Sequence, residues 1–160
     1  MRIKALRLNQ HRGVILMLEF EVLHSGAISQ IEEITQWFSE CNYGQIRAFL
    51  SEKQNIAIVA KLDGKIIGLM YGYSLTCFDC ETPQFFMYSV DIREEYQNKG
   101  YGSQFVNHVI DWVRDSGFCE SFVLTNKDNP RACKVYENAG MKHSESDCER
   151  MYEIKYRDEA

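Results

Sequence analysis

The sequence predicts a mixed α/β fold. Two apolar runs are joined by Asp63-Gly64, a pair typical of a tight hairpin turn because both positions need positive φ. An apolar run at 85–92 is followed by an amphipathic segment at 103–116 and by another apolar run at 119–125. The hairpin implies antiparallel strands and the strand–helix–strand unit implies parallel strands, so the predicted sheet is mixed.

The first third of the chain is predicted as one strand followed by helices. Residues 2–8 alternate weakly between apolar and polar side chains, which favours a strand. Residues 14–24 and 45–52 are interpreted as helical. Residues 28–40 are predicted as a helix because apolar side chains recur at helical spacing, at Ile28, Ile31, Ile34, Trp37 and Phe38.

The rest of the chain alternates strands with two helices. The hairpin strands are predicted at 55–62 and 65–75, and Gly117 is expected to end the helix at 103–116. Asn129-Pro130 is typical of a helix start, with Asn129 as the N-cap, and Gly140 is expected to stop that helix. A last strand is predicted at 150–157.

The composition is that of a globular protein, with 45% hydrophobic and 26% charged residues, and the length fits one domain over residues 1–160. The apolar runs are too short to span a bilayer, and residues 1–7 lack the apolar centre of a signal peptide. We therefore expect a cytoplasmic protein without a membrane partner. The net charge of −5, with no basic stripe, argues against nucleic acid and is compatible with a cationic substrate or with solubility alone.

The six cysteines do not predict a metal site. Only Cys77 and Cys80 have the spacing of a metal knuckle, and no second pair of Cys or His residues complements them. Reduced thiols in a cytosolic protein are the favoured interpretation, so no metal is expected.

A glycine-containing loop connects the strand at 85–92 to the next helix. Gly100 and Gly102 stand where that helix begins, so backbone N–H groups there could approach a phosphate or diphosphate closely. Arg93 and Lys99 could add cationic contacts. A tight turn that needs the glycines for shape alone is the alternative, and the dinucleotide fingerprint fails because Phe105 occupies its third glycine position.

A second set of residues lies on the helix that begins near residue 130. Asn129, Ala132, Tyr136 and Gly140 are spaced by three, four and four residues, and the first three fall near one helix face. An N-cap, two core residues and a C-cap would explain this set without any function.

Taken together, the two sets resemble the GCN5-related N-acetyltransferase (GNAT) superfamily. The loop fits the family pattern [QR]-x-x-G-x-[GA], and the later helix fits N-x-x-A-x-x-x-Y-x-x-x-G. The resemblance covers residues 55–157. Within the superfamily, the segments 67–73 and 86–88 resemble the aminoglycoside 3-N-acetyltransferase type, which suggests a small amine as acceptor.

The resemblance implies a mostly antiparallel sheet of about six or seven strands, flanked by helices, with a splayed parallel pair that binds acetyl-CoA. Asn129 would bind the pantetheine arm, and Tyr136 would contact the cofactor and protonate the departing thiolate. A backbone N–H near Ile92 would polarise the thioester carbonyl. The other implied cofactor contacts are Val90, Asp91 and Ile92 for pantetheine, and Gln97, Asn98, Lys99, Gly100, Tyr101, Gly102 and Ser103 for the diphosphate.

A general base is also needed, because an alkyl ammonium with a pKa of roughly 10 must lose a proton before it attacks. In the aminoglycoside-type branch the position that Ser89 occupies is often acidic, and serine cannot serve as a base. Asp91 lies on the same strand face and is the leading substitute, although it could instead bond the loop backbone. Glu81, Glu19 and Glu21 are other candidates for the base. Candidates for binding a cationic acceptor are Asp147, Glu149 and Glu81, unless they simply form solvated acidic loops.

Three functions remain open at this level. The first is an N-acetyltransferase acting on a small amine, and the second is a catalytically weak CoA-binding sensor or regulatory module. The third is an enzyme that acetylates protein N-termini or lysines. Because members of the superfamily often dimerise, a homodimer is among the expected assemblies.

Overall fold

The computed structural model describes residues 2–8, 15–38 and 40–143. Six strands in the described residues form one sheet in the order β1-β2-β3-β4-β5-β6. Neighbouring strands are antiparallel except for β5 and β6, which are parallel, so the predicted mixed sheet is confirmed. The strands are β1 (Arg2–Leu8), β2 (Ile15–Val22), β3 (Asn55–Leu62), β4 (Lys65–Leu75), β5 (Gln84–Ile92) and β6 (Glu120–Val123).

The described part of the chain also contains four α-helices and one 3-10 turn. None of the helices in the described ranges is long and apolar enough to cross a bilayer. The strand predicted at 150–157 lies outside the described residues. The helices are α1 (Ile28–Trp37), α2 (Tyr43–Ser51), α3 (Tyr101–Asp115) and α4 (Pro130–Asn138), and the 3-10 turn is Glu94–Tyr96.

The helix predicted at 14–24 is wrong, because residues 15–22 form β2. This run is nearly continuously apolar at its start, so it fits a helical and a strand period equally well. Pairing with β1 on one side and β3 on the other decides the outcome. The strand buries Leu18 and Phe20, two residues apart, as the alternation of a strand requires.

The turn and cap predictions are confirmed. Asp63 and Gly64 take φ values of 49° and 84°, as the two-residue hairpin turn requires. Gly117 and Gly140 follow α3 and α4 with φ of 83° and 84°, which is the left-handed conformation that ends a helix. Asn129 caps α4 by accepting a hydrogen bond from the N–H of Ala132.

Helices cover both faces of the sheet. Helix α3 packs Phe105, Val109 and Val113 against one face, where they meet side chains such as Phe20 and Phe85. Helices α1 and α2 cover the opposite face, whose buried members include Ile34, Val59, Ile66 and Leu69. Each face is therefore apolar on the inside, and β4 and β5 lie between the two layers.

A register shift between β4 and β5 interrupts the ladder at the centre of the sheet. Tyr71 pairs with Ser89 but Gly72 pairs with Met87, so Tyr88 is an extra residue in β5. Such a bulge bends and twists its strand. On its other side β5 pairs with β6 only from Gln84 to Met87. The second half of β5 therefore continues without β6 beside it.

We expect Gly72→Ala to destabilise the protein by roughly 1–3 kcal/mol, the cost of overpacking a close-packed site. A Cβ at this position would overlap the carbonyl oxygen of Phe86 and lie 3.0 Å from Cζ of Phe85, so the bulge would have to shift. Chemical denaturation measures the change. Gly102→Ala is the matched control, since its Cβ would meet only Cγ1 of Ile92, at 3.7 Å. Equal stability of the two variants would contradict this account of the bulge.

Candidate active site

The second half of β5 presents backbone groups to an open edge. The N–H of Arg93 donates to the carbonyl of Ile67, which makes this a hydrogen-bonded pair of the ladder with β4. Hydrogen-bonded and non-hydrogen-bonded pairs alternate along antiparallel strands. The backbone of Asp91 therefore faces β4, where it pairs with Leu69, while the N–H and C=O groups of Val90 and Ile92 face away from β4.

Helix α3 begins beside this edge with its first N–H groups available. Its N-cap is Gly100, with φ of 79°, and no side chain caps the helix. Asn98 also has a positive φ, of 58°. In the first turn, the N–H groups of Tyr101, Gly102 and Ser103 have no helical carbonyl four residues earlier, and they carry the positive end of the helix dipole. This uncapped helix start suits an anion such as a phosphate.

Side chains of the loop hold it in place. The Nε2 of Gln97 donates to the carbonyl of Ile92 at 2.8 Å, and its Oε1 accepts from Arg131 of α4 at 3.4 Å. The Nζ of Lys99 donates to the carbonyl of Glu95 at 2.6 Å. These bonds tie the end of β5, the loop and the start of α4 together.

The side chain of Arg93 contacts β4 and α1 instead of the glycine-containing loop, so it is not placed for the phosphate contact that the sequence suggested. Its Nε donates to the carbonyl of Ile66 at 2.7 Å, and its guanidinium lies 3.5 Å from the carboxylate of Glu33 on α1. The same group stacks over the ring of Trp37 at 4.8 Å. Arg93 thus fixes α1 against the sheet.

Tyr136 lies on α4, half-buried, within the electrostatic influence of Asp91. Burial raises the pKa of the Tyr136 hydroxyl above its ordinary value, and the charge of Asp91 and the thiol of Cys133 raise it further. The hydroxyl is therefore protonated throughout the neutral range, so it is available as a proton donor.

Ser89 and Asp91 form a hydrogen-bonded pair on β5. The Oγ of Ser89 donates to Oδ2 of Asp91 at 2.5 Å. Both line a cavity of about 580 Å³ between the sheet and helices α1 and α2. Ser89 thus supports a carboxylate that is well placed to accept a proton from a molecule in the cavity.

The other acidic candidates lie elsewhere. Glu81 is exposed in the loop before β5, separated from Asp91 by roughly 20 Å of strand at about 3.3 Å per residue. Glu21 pairs with Lys61 on β3, and neither Glu19 nor Glu21 lines the cavity. Asp147 and Glu149 lie outside the described residues.

The helical wall of the cavity is the part that sequence reasoning missed. Trp37 and Phe38 from α1 and Phe49 from α2 line the cavity together with Asp91. The helical spacing of Trp37 and Phe38 was the available signal, but it also fits an ordinary core. Only the packing of α1 and α2 over the end of β5 distinguishes a cavity wall from a core.

A known family matches this arrangement. The family model described as "Acetyltransferase (GNAT) family" matches residues 25–141, most of the chain. This protein is a member of the GNAT family. Membership confirms the expected enzyme class, an N-acetyltransferase that takes acetyl-CoA as its cosubstrate. No curated protein sequence matches the chain.

Solved structures share the fold of this GNAT enzyme at low sequence identity. An aminoglycoside acetyltransferase from an uncultured soil metagenomic sample, in complex with sisomicin, superposes with a TM-score of 0.74 at 20% identity, covering 86% of this chain and 97% of that one. The aminoglycoside N-acetyltransferase AAC(6')-Iy in complex with CoA gives 0.67 at 16% identity, covering 88% and 95%. A ribosomal-protein-alanine N-acetyltransferase from Brucella melitensis biovar Abortus 2308 gives 0.68 at 14% identity, covering 87% and 99%.

We expect Gly102→Glu to abolish acetyl-CoA binding in this GNAT enzyme, because a carboxylate at the start of α3 would meet the diphosphate. The position has room for a side chain, so the variant should fold. Isothermal titration calorimetry measures the affinity for acetyl-CoA. Gly102→Ala is the control, because it also replaces the glycine but adds no carboxylate. If Gly102→Glu bound acetyl-CoA with wild-type affinity, the assignment of the diphosphate to the start of α3 would be wrong.

Proposed function

We propose that the protein transfers the acetyl group of acetyl-CoA to a primary amine of a small acceptor, which binds in the cavity between α1, α2 and the sheet. One observation supports this most. Asp91, a carboxylate that lines the cavity, lies near enough to Tyr136, a half-buried phenol on α4, for its charge to help raise the pKa of that hydroxyl. A proton acceptor and a proton donor are thus close to each other at the second half of β5.

The described residues fit the cosubstrate. Acetyl-CoA supplies an activated acetyl thioester and carries a diphosphate. The outward-facing N–H and C=O groups of Val90 bind the pantetheine arm as an added strand would, and the N–H of Ile92 donates to the thioester carbonyl oxygen. Asn129 donates to the same arm through its amide nitrogen, since its oxygen already caps α4. The N–H groups from Asn98 to Ser103 hold the diphosphate.

Asp91 acts as the general base. It takes a proton from the acceptor's ammonium, directly or through one water, so that the neutral amine can attack the thioester carbon. Ser89 occupies a position that is often acidic in the related branch, and here its hydroxyl donates to Asp91. The base is therefore two residues further along the same strand face, at Asp91, and the serine at position 89 donates a hydrogen bond to it.

Tyr136 acts as the general acid. Its raised pKa, caused first by burial, keeps the hydroxyl protonated at neutral pH. It passes this proton to the thiolate sulfur as the carbon–sulfur bond breaks. The second proton, which the acceptor nitrogen loses as the amide forms, restores the phenol through water, and Asp91 returns its own proton to solvent. The acetylated amine leaves as a neutral amide.

Aminoglycosides are one class of acceptor to test, because solved structures of similar fold are aminoglycoside acetyltransferases. The net charge of −5 is compatible with a cationic acceptor. Release of CoA thiol, followed with a chromogenic disulfide in the presence of candidate amines, tests the proposal. Binding of acetyl-CoA without turnover on any amine would instead favour a CoA-binding sensor.

Asp91→Asn should lower kcat/KM roughly 100-fold near pH 7, the usual size of general-base catalysis. The loss should shrink as the pH rises towards 9.5, because an ammonium with a pKa of roughly 10 then supplies its own neutral form. The raised pKa of Tyr136 keeps the acid protonated over this range. Asp115→Asn, an exposed carboxylate on α3, is the control. A loss of constant size from pH 6.5 to 9.5 would assign Asp91 a binding role only.

Tyr136→Phe should lower kcat roughly 100-fold while leaving the Kd of acetyl-CoA nearly unchanged, since only the acidic proton is lost. Steady-state kinetics and calorimetry on the same samples separate the two quantities. Tyr43→Phe, at the start of α2, is the matched control. Wild-type turnover in Tyr136→Phe would exclude this hydroxyl as the acid.

A further inference from the structure

We propose that the acceptor is an arylalkylamine, a primary amine carried on an aromatic or bulky apolar body, with its ammonium at Asp91. This inference rests on the proposed function, because it takes the cavity as the acceptor site. The cavity has a volume of about 580 Å³, within the range of roughly 300–1,000 Å³ that small-molecule sites occupy. Its lining combines a large apolar surface with few charged groups, and that combination selects the acceptor.

The body of the cavity is apolar. Helix α1 contributes Trp37 and Phe38, helix α2 contributes Ile46 and Phe49, and the sheet contributes Leu69. Burying an apolar group against such a wall gains roughly 25 cal/mol for each Å² removed from water. A hydroxyl-rich sugar ring would gain little against these apolar side chains, because its polar groups would lose water there without finding partners.

Aromatic rings extend this wall along the sheet. Phe49 meets the edges of Tyr71 and Tyr73, with ring centroids 5.6 and 5.7 Å apart. Tyr88 follows at 5.3 Å from Tyr71, and its side chain is 55% exposed. Offset and edge-to-face geometries of this kind are the ones in which a further aromatic ring adds favourably. The wall is therefore suited to a substrate that is itself aromatic.

Negative charge is confined to few positions. Among the described residues that line the cavity, the only carboxylates are Asp91 and Glu40, and Glu40 is exposed. Tyr71 adds no charge, since burial above all raises the pKa of its hydroxyl to about 12. A single ammonium finds Asp91 and nearby aromatic faces, which also attract a cation. A polycation would have to bury further ammonium groups without partners, at a cost of several kcal/mol.

Steady-state kinetics with acetyl-CoA and 2-phenylethylamine, ethylamine, spermidine and kanamycin tests the inference. We expect kcat/KM for 2-phenylethylamine to exceed that for ethylamine roughly 30-fold, as burial of one aromatic ring in a hydrophobic pocket allows. It should exceed the values for spermidine and kanamycin roughly 100-fold, because their additional ammonium groups lack partners. A value for spermidine or kanamycin equal to or above that of 2-phenylethylamine would overturn the inference.

Phe49→Ala should raise KM for 2-phenylethylamine roughly 10-fold and leave KM for ethylamine nearly unchanged, because only the larger amine contacts the wall. Phe78→Ala, which removes a fully exposed phenylalanine of the β4–β5 loop, is the matched control. If Phe49→Ala does not fold, Ile46→Ala carries the same expectation with a smaller effect. Equal effects on both amines would overturn the assignment of this wall.

Calorimetry of 2-phenylethylamine against the CoA-loaded protein separates this inference from the proposed function. Binding of 2-phenylethylamine that is weakened by Phe49→Ala, but without turnover on any amine, supports the cavity assignment and contradicts only the proposed function. Turnover on kanamycin with no binding of 2-phenylethylamine supports the proposed function and overturns the inference. If 2-phenylethylamine is neither bound nor acetylated, the inference is overturned as well.

Discussion

The separation of β5 from β6 after Met87 is the constraint on which the rest of the site depends. Parallel strands that remain paired satisfy each other's backbone groups, and a strand that leaves its neighbour exposes them. Here the N–H and C=O of Val90 and the N–H of Ile92 face the open side, and the uncapped start of α3 lies beside them. In the proposed cosubstrate site, backbone groups supply most of the contacts, so the site depends on the path of the chain more than on particular side chains.

The bulge at Tyr88 links this edge to the acceptor cavity. The extra residue shifts the register of β5, and from Ser89 onwards its side chains Ser89 and Asp91 line the cavity beneath α1 and α2. Arg93, immediately after the strand, fastens α1 to the sheet through Glu33 and Trp37. In the proposed mechanism a single strand therefore presents backbone groups to one substrate and side chains to the other, which brings the two reactants together.

Local signals predicted much of the fold and little of the cavity. Asp63-Gly64, Gly117 and Asn129-Pro130 each require a specific backbone conformation or cap, so their positions in the structure could be predicted from neighbouring residues alone. Residues 15–22 could not, because their strand depends on pairing with distant β1 and β3. The role of Arg93 likewise emerges only when its partners are in place, since Glu33 and Trp37 reach it through the tertiary structure.

Amide chemical shifts during titration with CoA test the central claim most directly. The account predicts that the N–H resonances of Val90, Ile92 and residues 100–103 move together, while those of the β3–β4 turn stay fixed. Those N–H groups are the ones that the free edge of β5 and the start of α3 offer to a ligand. Saturable binding that leaves these resonances in place and moves others would contradict the account, because CoA would then bind away from the divergence of β5 and β6.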